Sequence, residues 1–295
     1  MLKYAIYFVS SFILLVCLFV VSFPALADMR SVPIAELILQ AKNGNPEAQD
    51  ELGLRYCLGI DVDKDYVQAA KWYLSAAEQG HAKAQNEIGG FYEKGIGVPR
   101  DQRRAVYWYE KAAAQGYAPA QYNLALKLDS GDGVARDAVR STTWLRRAAE
   151  TGMAPQAEYN LGVRYINGVG VKKDLHEASA WFRKSADHGF PLAMCNLATC
   201  YLRGEGVNRD LIQAYKWLYL ATGGGAKQRR ISEKDKMQAR MRRSETTYWL
   251  YALEGDDLRK AKEGLELLRD SMTERQVSAA KQQANDWNPN YLENR

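Results

Sequence analysis

Small and apolar residues fall at i, i+4, i+5 and i+8 in Ala84, Ile88, Gly89 and Tyr92, and again in Ala157, Leu161, Gly162 and Tyr165. That spacing draws one face of an α-helix. Each segment runs into a Gly-x-Gly-Val turn, Gly95 to Val98 and Gly168 to Val171, where glycine accepts the positive φ that closes a helix. An aspartate follows, a favoured N-cap, and opens a second helix that runs through a Trp and an Ala-Ala pair to the next glycine. The unit is therefore helix, turn, helix.

The same unit recurs down the chain. Tryptophans stand at Trp72, Trp108, Trp144, Trp181 and Trp217, at intervals of 36, 36, 37 and 36 residues. Seven residues before each is an aspartate (Asp65, Asp101, Asp137, Asp174, Asp210), always preceded by Lys or Arg. Eight residues after each is a glycine, Gly80, Gly116, Gly152, Gly189 and Gly225. Neither helix of one unit has enough neighbours to bury both its Trp and its Tyr, so the units must stack. The expected fold is all-α, a right-handed α-solenoid of helix-turn-helix repeats.

The motif A-x-x-x-L-G-x-x-Y-x-x-G-x-G-V-x-[KR]-D-x-x-x-A-x-x-W-x-x-x-A-A-x-x-G resembles the Sel-one-like repeat (SLR), a relative of the tetratricopeptide repeat whose superhelix the fold should share. The resemblance covers residues 45–226, as five copies over 45–80, 81–116, 117–152, 153–189 and 190–226. Departures are conservative in size. Copy one has Asp61 at the second turn glycine, copy three has Ala125 and Leu128 for Gly and Tyr, and copy five has Ala198 for Gly and Leu220 just ahead of the first Ala. Residues 32–44 read as an N-terminal capping helix, and 227–295 as a C-terminal helical cap whose last helix opens with the capping box Thr273-Glu-Arg-Gln276.

Ahead of the repeats, Met1-Leu-Lys-Tyr leads into an apolar run to Phe23 and then Pro24-Ala25-Leu26-Ala27. A basic start, an apolar core and Ala-x-Ala read as a signal peptide over 1–27, cleaved after Ala27, which places the mature chain in the periplasm or beyond the cell. An uncleaved inner-membrane anchor is the alternative, because the run approaches the roughly 20 residues that span a bilayer. Export permits disulfides, yet the mature chain keeps three cysteines, Cys57, Cys195 and Cys200, an odd number and no framework.

With 47% hydrophobic and 25% charged residues the composition is that of a folded soluble protein. The net charge of +5 is concentrated in residues 227–243, where eight Lys and Arg stand against Glu233 and Asp235. The repeats are close to neutral, which argues against a nucleic-acid partner. The basic stretch could make a weak contact with an acidic surface or anionic lipid.

Chemistry is sparse. The Gly-x-Gly turns join two helices and are never followed by Gly-Lys-[Ser/Thr], so they are turns and not phosphate loops. No pair among His81, His176 and His188 has metal-ligand or triad spacing, and no cofactor or metal is expected. Some proteins of the resembled family have been proposed as β-lactamases, and Ser278-Ala-Ala-Lys281 matches Ser-x-x-Lys. It lacks a Ser-Asp-Asn or Lys-Thr-Gly partner, which disfavours a hydrolase.

Function must then reside in surface. The resemblance implies a non-enzymatic scaffold or adaptor that binds a protein partner, an envelope protein, an effector toxin or a host protein, on a concave face made by the first helices. A narrower implied role is a periplasmic immunity protein that neutralises a secreted antibacterial effector. By the tetratricopeptide register that face carries Asp50 and Leu54, Asn86, Tyr122 and Leu126, Tyr159 and Val163, and Cys195 and Thr199. Tyr122 and Tyr159 would be adjacent aromatic anchors, of the kind that carry much of an interface's energy.

Overall fold

The computed structural model describes residues 29–152, 154–224, 253 and 255–287. The leader over 1–27 and the basic stretch 227–243 lie outside the described residues. Among those described there are thirteen α-helices and no strand, in the order of an α-solenoid. A lead helix, α1 (Ile34–Lys42), precedes five hairpins. These are α2 (Pro46–Leu58) with α3 (Tyr66–Glu78), α4 (Ala82–Lys94) with α5 (Gln102–Ala114), and α6 (Ala118–Ser130) with α7 (Ala138–Glu150). Then come α8 (Pro155–Asn167) with α9 (Leu175–Asp187), and α10 (Pro191–Arg203) with α11 (Leu211–Ala221). Two further helices follow, α12 (Gly255–Asp270) and α13 (Glu274–Asp286).

Local chemistry sets each boundary. Every second helix begins at its aspartate, whose side chain accepts backbone N–H groups of the first turn; Asp65 Oδ1 takes Val67 N at 2.8 Å and Gln68 N at 3.0 Å. Asp101, Asp137, Asp174 and Asp210 do the same. Such a cap stabilises a helix by about 1 kcal/mol. Each turn is also tied by the aspartate N–H, which donates to a carbonyl near the end of the first helix, as Asp65 N does to Tyr56 O at 2.9 Å. In copy three the acceptor is Leu128 O at 2.9 Å. The tie needs a carbonyl and not a ring, so leucine there leaves the turn intact.

The second turn glycine has a further reason to be glycine. A Cβ on Gly97, Gly133, Gly170 or Gly206 would collide with the carbonyl of the first residue of the preceding copy's second helix: Tyr66, Gln102, Ala138 and Leu175 respectively. Ahead of copy one stands α1, a helix of nine residues rather than thirteen that begins only at Ile34. The turn of copy one carries Asp61 instead, at φ 57°, and the carboxylate accepts from Arg55 Nη1 at 2.8 Å. Arg55 Nη2 in turn donates to the carbonyls of Arg30 and Val32, at 3.1 and 2.8 Å. The departure at Asp61 thus belongs to the device that fastens the chain ahead of α1 onto the first repeat.

The core runs between first and second helices. Its largest buried side chains include the residue after each of the first four repeat tryptophans: Tyr73, Tyr109, Leu145 and Phe182. The repeat tryptophans are less uniform than their spacing suggests, since Trp72, Trp108 and Trp144 are half-buried while Trp181 and Trp217 are buried. Trp217 is covered from the C-terminal side, where α12 and α13 pack on α11. The Trp287 ring meets it edge-on at 6.1 Å, and Leu268, Val277 and Ala280 join the same cluster. The box that opens α13 is formed, Gln276 N donating to Thr273 Oγ1 at 3.3 Å and Thr273 N to Gln276 Oε1 at 2.9 Å.

Candidate partner-binding face

Successive first helices are stitched together by side chains at one register. Asn123 Nδ2 donates to Asn86 Oδ1 at 2.9 Å, and Asn160 Nδ2 to the Tyr122 hydroxyl at 3.0 Å. Asn196 forms the equivalent bond to Tyr159. Three expected site residues, Asn86, Tyr122 and Tyr159, are therefore rungs of a ladder whose other side is asparagine in copies three, four and five. The Tyr159 ring also lies 5.8 Å from Phe182 and 5.3 Å from Phe190, and burial raises its hydroxyl pKa. These residues are half-buried, so each has one edge in the scaffold and one toward solvent.

The remaining expected residues divide. Asp50 is only 3% exposed and holds Lys83 Nζ at 2.6 Å, and Leu54 is buried in the core. These two are corrected: Asp50 turns inward to hold Lys83 of the second repeat, and Leu54 is buried in the apolar cluster that also contains Phe91. Cys195 is half-buried, and burial, reinforced by the charge of Asp257, pushes its thiol up to about 12. Cys200 is pushed up to about 11, again mainly by burial, so neither is a ready thiolate. Thr199 is exposed and donates to Cys195 O on its own helix at 3.0 Å. Leu126 is 43% exposed and Val163 half-buried.

Beneath this face run two ion pairs, each of a buried cation with a half-buried acid, that link consecutive copies. Lys127 Nζ lies 2.6 Å from Glu93 Oε1, and the Tyr109 hydroxyl donates to Glu93 Oε2 at 2.7 Å. Burial works against the charge of Glu93, but these two partners outweigh it and hold the pKa below the usual carboxylate value. One copy on, Arg164 pairs with Asp129 and also donates to Thr142 Oγ1 at 2.7 Å and Ser141 Oγ at 2.9 Å. The same two registers hold Phe91 with Cys57 and Cys200 with Ile166 elsewhere. Each joint is thus matched, apolar with apolar or cation with acid. Glu93 and Asp129 are part of the joint as well as of the face, which the sequence alone left unseen because their partners lie about 35 residues away.

Leu126, Asn160 and Val163 open onto a cavity of ≈ 620 Å3 between copies three and four, floored by Ala125, Leu128 and Leu145. A mostly apolar concavity with a few polar groups at its rim is the usual form of a binding site. Ser278 and Lys281 stand exposed on α13, far along the chain from it, with Lys281 Nζ 5.9 Å from the Tyr219 ring. Among the described residues no group of His, Cys, Asp and Glu could hold a metal ion.

Comparison with known proteins fits this geometry. The Sel1 repeat model matches five consecutive segments, 46–81, 82–117, 118–153, 155–190 and 191–225. A Sel1 repeat protein from Oxalobacter formigenes is 36% identical over 65% of this chain and 55% of its own, with a TM-score of 0.59. A protective antigen of uropathogenic Escherichia coli, c5321, which displays an SLR fold, is 29% identical over 84% of this chain and 56% of its own, with a TM-score of 0.63. The match spans little more than half the length of either structure. A search of curated proteins returns no match.

Proposed function

The chain belongs to the Sel1 repeat family, a fold suited to protein–protein interaction, and from that premise we infer that it is a non-enzymatic scaffold that holds a protein partner on the concave face of its first helices. The observation that carries this reading is the cleft at copies three and four. It is open, it is apolar within, and Leu126 stands exposed at its rim beside half-buried Val163 and Tyr122. An apolar side chain left in solvent at the rim of an apolar concavity gains little in folding, and a solenoid offers such a concave face to partners. The leader over 1–27 supports a periplasmic or secreted setting, with cleavage after Ala27. The basic stretch 227–243 suits a secondary contact with an acidic surface or anionic lipid.

Co-purification of a crosslinked partner with Leu126→Asp/Val163→Asp tests the face. These two residues are better targets than Tyr122 and Tyr159, which also hold the ladder. Loss of the partner by a variant with wild-type helicity and melting temperature is expected; retention by that folded variant contradicts the reading. N-terminal sequencing of the protein from the periplasmic fraction tests the setting, with Asp28 expected first and Met1 contradicting cleavage.

A further inference from the structure

The first helices of copies one to three each carry a buried glutamine near their start, Gln49, Gln85 and Gln121, which donates to a carbonyl of the helix before it, Ala41, Ala77 or Ala113. In copies one and two the same side chain accepts from Gln79 or Gln115, which closes the hairpin with a neutral pair. Copy four puts Glu158 at this register, its side chain 1% exposed. An ionised carboxylate only accepts, so the tie to the preceding helix is given up. The hairpin is closed instead by His188, whose Nδ1 lies 2.8 Å from Glu158 Oε2. Among the described residues His188 is the cation paired with this buried charge. Facing the imidazole are Glu158 on α8 and Asp187 and Lys184 on α9, with Arg183 and Lys216 of α11 beyond Asp187. The bond to Glu158 raises the His188 pKa against burial, so the charge is lost as pH climbs above the ordinary value of about 6.5. A neutral ring can still offer Nδ1–H, but it leaves Glu158 a buried anion without a counter-charge, an arrangement that costs stability. Both partners of the pair adjoin the candidate face. Tyr159 follows Glu158, and its ring lies 5.3 Å from Phe190, two residues beyond His188, while its hydroxyl takes the ladder bond from Asn196.

We propose that copy four carries an acid-operated latch: charged His188 holds the connection through Phe190 against α8 and Tyr159, and the face binds its protein partner more tightly in acid than above neutrality. The proposal deepens the reading of the concave face and rests on it. Exchanging the charged form of one hydrogen bond for the neutral form is worth about fivefold in affinity. The glutamine pairs of copies one and two hold the same place without a charge and so do not respond.

The test follows Tyr159 and the partner together between about pH 6 and about pH 8.5. In NMR of the protein with ring-labelled tyrosine, assigned with Tyr159→Phe, the Tyr159 signals should move with one inflection that coincides with the titration of His188. Partner retained on the immobilised protein should fall about fivefold over the same range. Glu158→Gln/His188→Gln copies the neutral pair of copies one and two and should flatten both responses. Should that variant fail to fold, His188→Gln serves: at about pH 6 its Tyr159 signals should already match those of the wild type at about pH 8.5. Tyr159 signals that stay fixed while His188 titrates, or responses that persist in a folded variant, overturn the proposal. A partner that needs Leu126 and Val163 but is retained equally at both pH values overturns the latch alone, whereas a partner indifferent to those two residues overturns the docking face.

Discussion

At Gly162 an added methyl group would sit 2.7 Å from the Phe182 ring. Gly53 and Gly89 face Tyr73 and Tyr109 in the same way, at 2.8 and 2.7 Å. Copies three and five have alanine at this register, and twenty residues on they have leucine, Leu145 and Leu218, where the others have an aromatic ring. The departures are therefore matched pairs, glycine with a ring and alanine with leucine. Gly162→Ala should destabilise by about 2 kcal/mol through overpacking, and Phe182→Leu by about 1 kcal/mol through a residual void. The double variant restores a native pair, so chemical denaturation should show it more stable than the sum of the single losses, by roughly 1 kcal/mol. Strict additivity would mean that the two residues do not sense each other. This pairing was present in the sequence at a fixed offset, but the tryptophans masked it. Their spacing marks the repeat, while in copies one to three the more deeply buried side chain is their neighbour.

Between helices, polar residues do the joining, and their chemistry differs from joint to joint. Arg164 is buried but Asp129 is half-buried, so Arg164→Ala leaves the acid partly hydrated and should cost about 2 kcal/mol through the lost pair and the lost bonds to Ser141 and Thr142. Asp129→Ile/Arg164→Cys copies the apolar joint of Ile166 and Cys200, and should recover most of that loss in a thermal melt; a double variant as unstable as Arg164→Ala would contradict the matching. A second joint is titratable. In copies one and two, buried Gln49 and Gln85 donate to the carbonyls of Ala41 and Ala77 and accept from Gln79 and Gln115 at 2.7 and 2.8 Å. Copy four replaces the glutamine pair with Glu158 and His188, 2.8 Å apart. The bond to Glu158 raises the His188 pKa against the opposing effect of burial, with Asp187 adding to the rise and Lys184 reducing it. A raised histidine pKa contributes stability that is complete below the ordinary imidazole value of about 6.5 and is lost as pH climbs through the folded value. The melting temperature of wild-type protein should therefore fall, relative to Glu158→Gln/His188→Gln, as pH rises from about 6 upward. Parallel curves would show that the pair contributes nothing. The sequence placed His188 at a repeat boundary, but its partner is 30 residues away and emerges only when the hairpin closes.

Across the described residues, five hairpins bury their apolar faces in three clusters that follow one another along the chain, fastened at the front by Arg55 and covered at the back by α12 and α13. The repeat, its helices and its turns were legible because each is set by a local signal: an aspartate cap, a turn glycine, a helical face. The candidate face was legible only in register. Asn86, Tyr122, Leu126, Tyr159 and Val163 lie along it, whereas Asp50 and Leu54 turn inward, because which of two neighbouring helices covers a side chain is a matter of packing that no local signal carries. What remains exposed is a face that differs from copy to copy over a backbone repeat that is kept. The most direct test of the central claim is site-specific photo-crosslinking in cells, with a benzophenone side chain placed at Leu126 or at Tyr107, which is 50% exposed on α5, a second helix. A discrete partner band from position 126 and none from position 107 is the predicted result. Equal labelling from both positions, or a band from 107 alone, would contradict partner binding on the first-helix face.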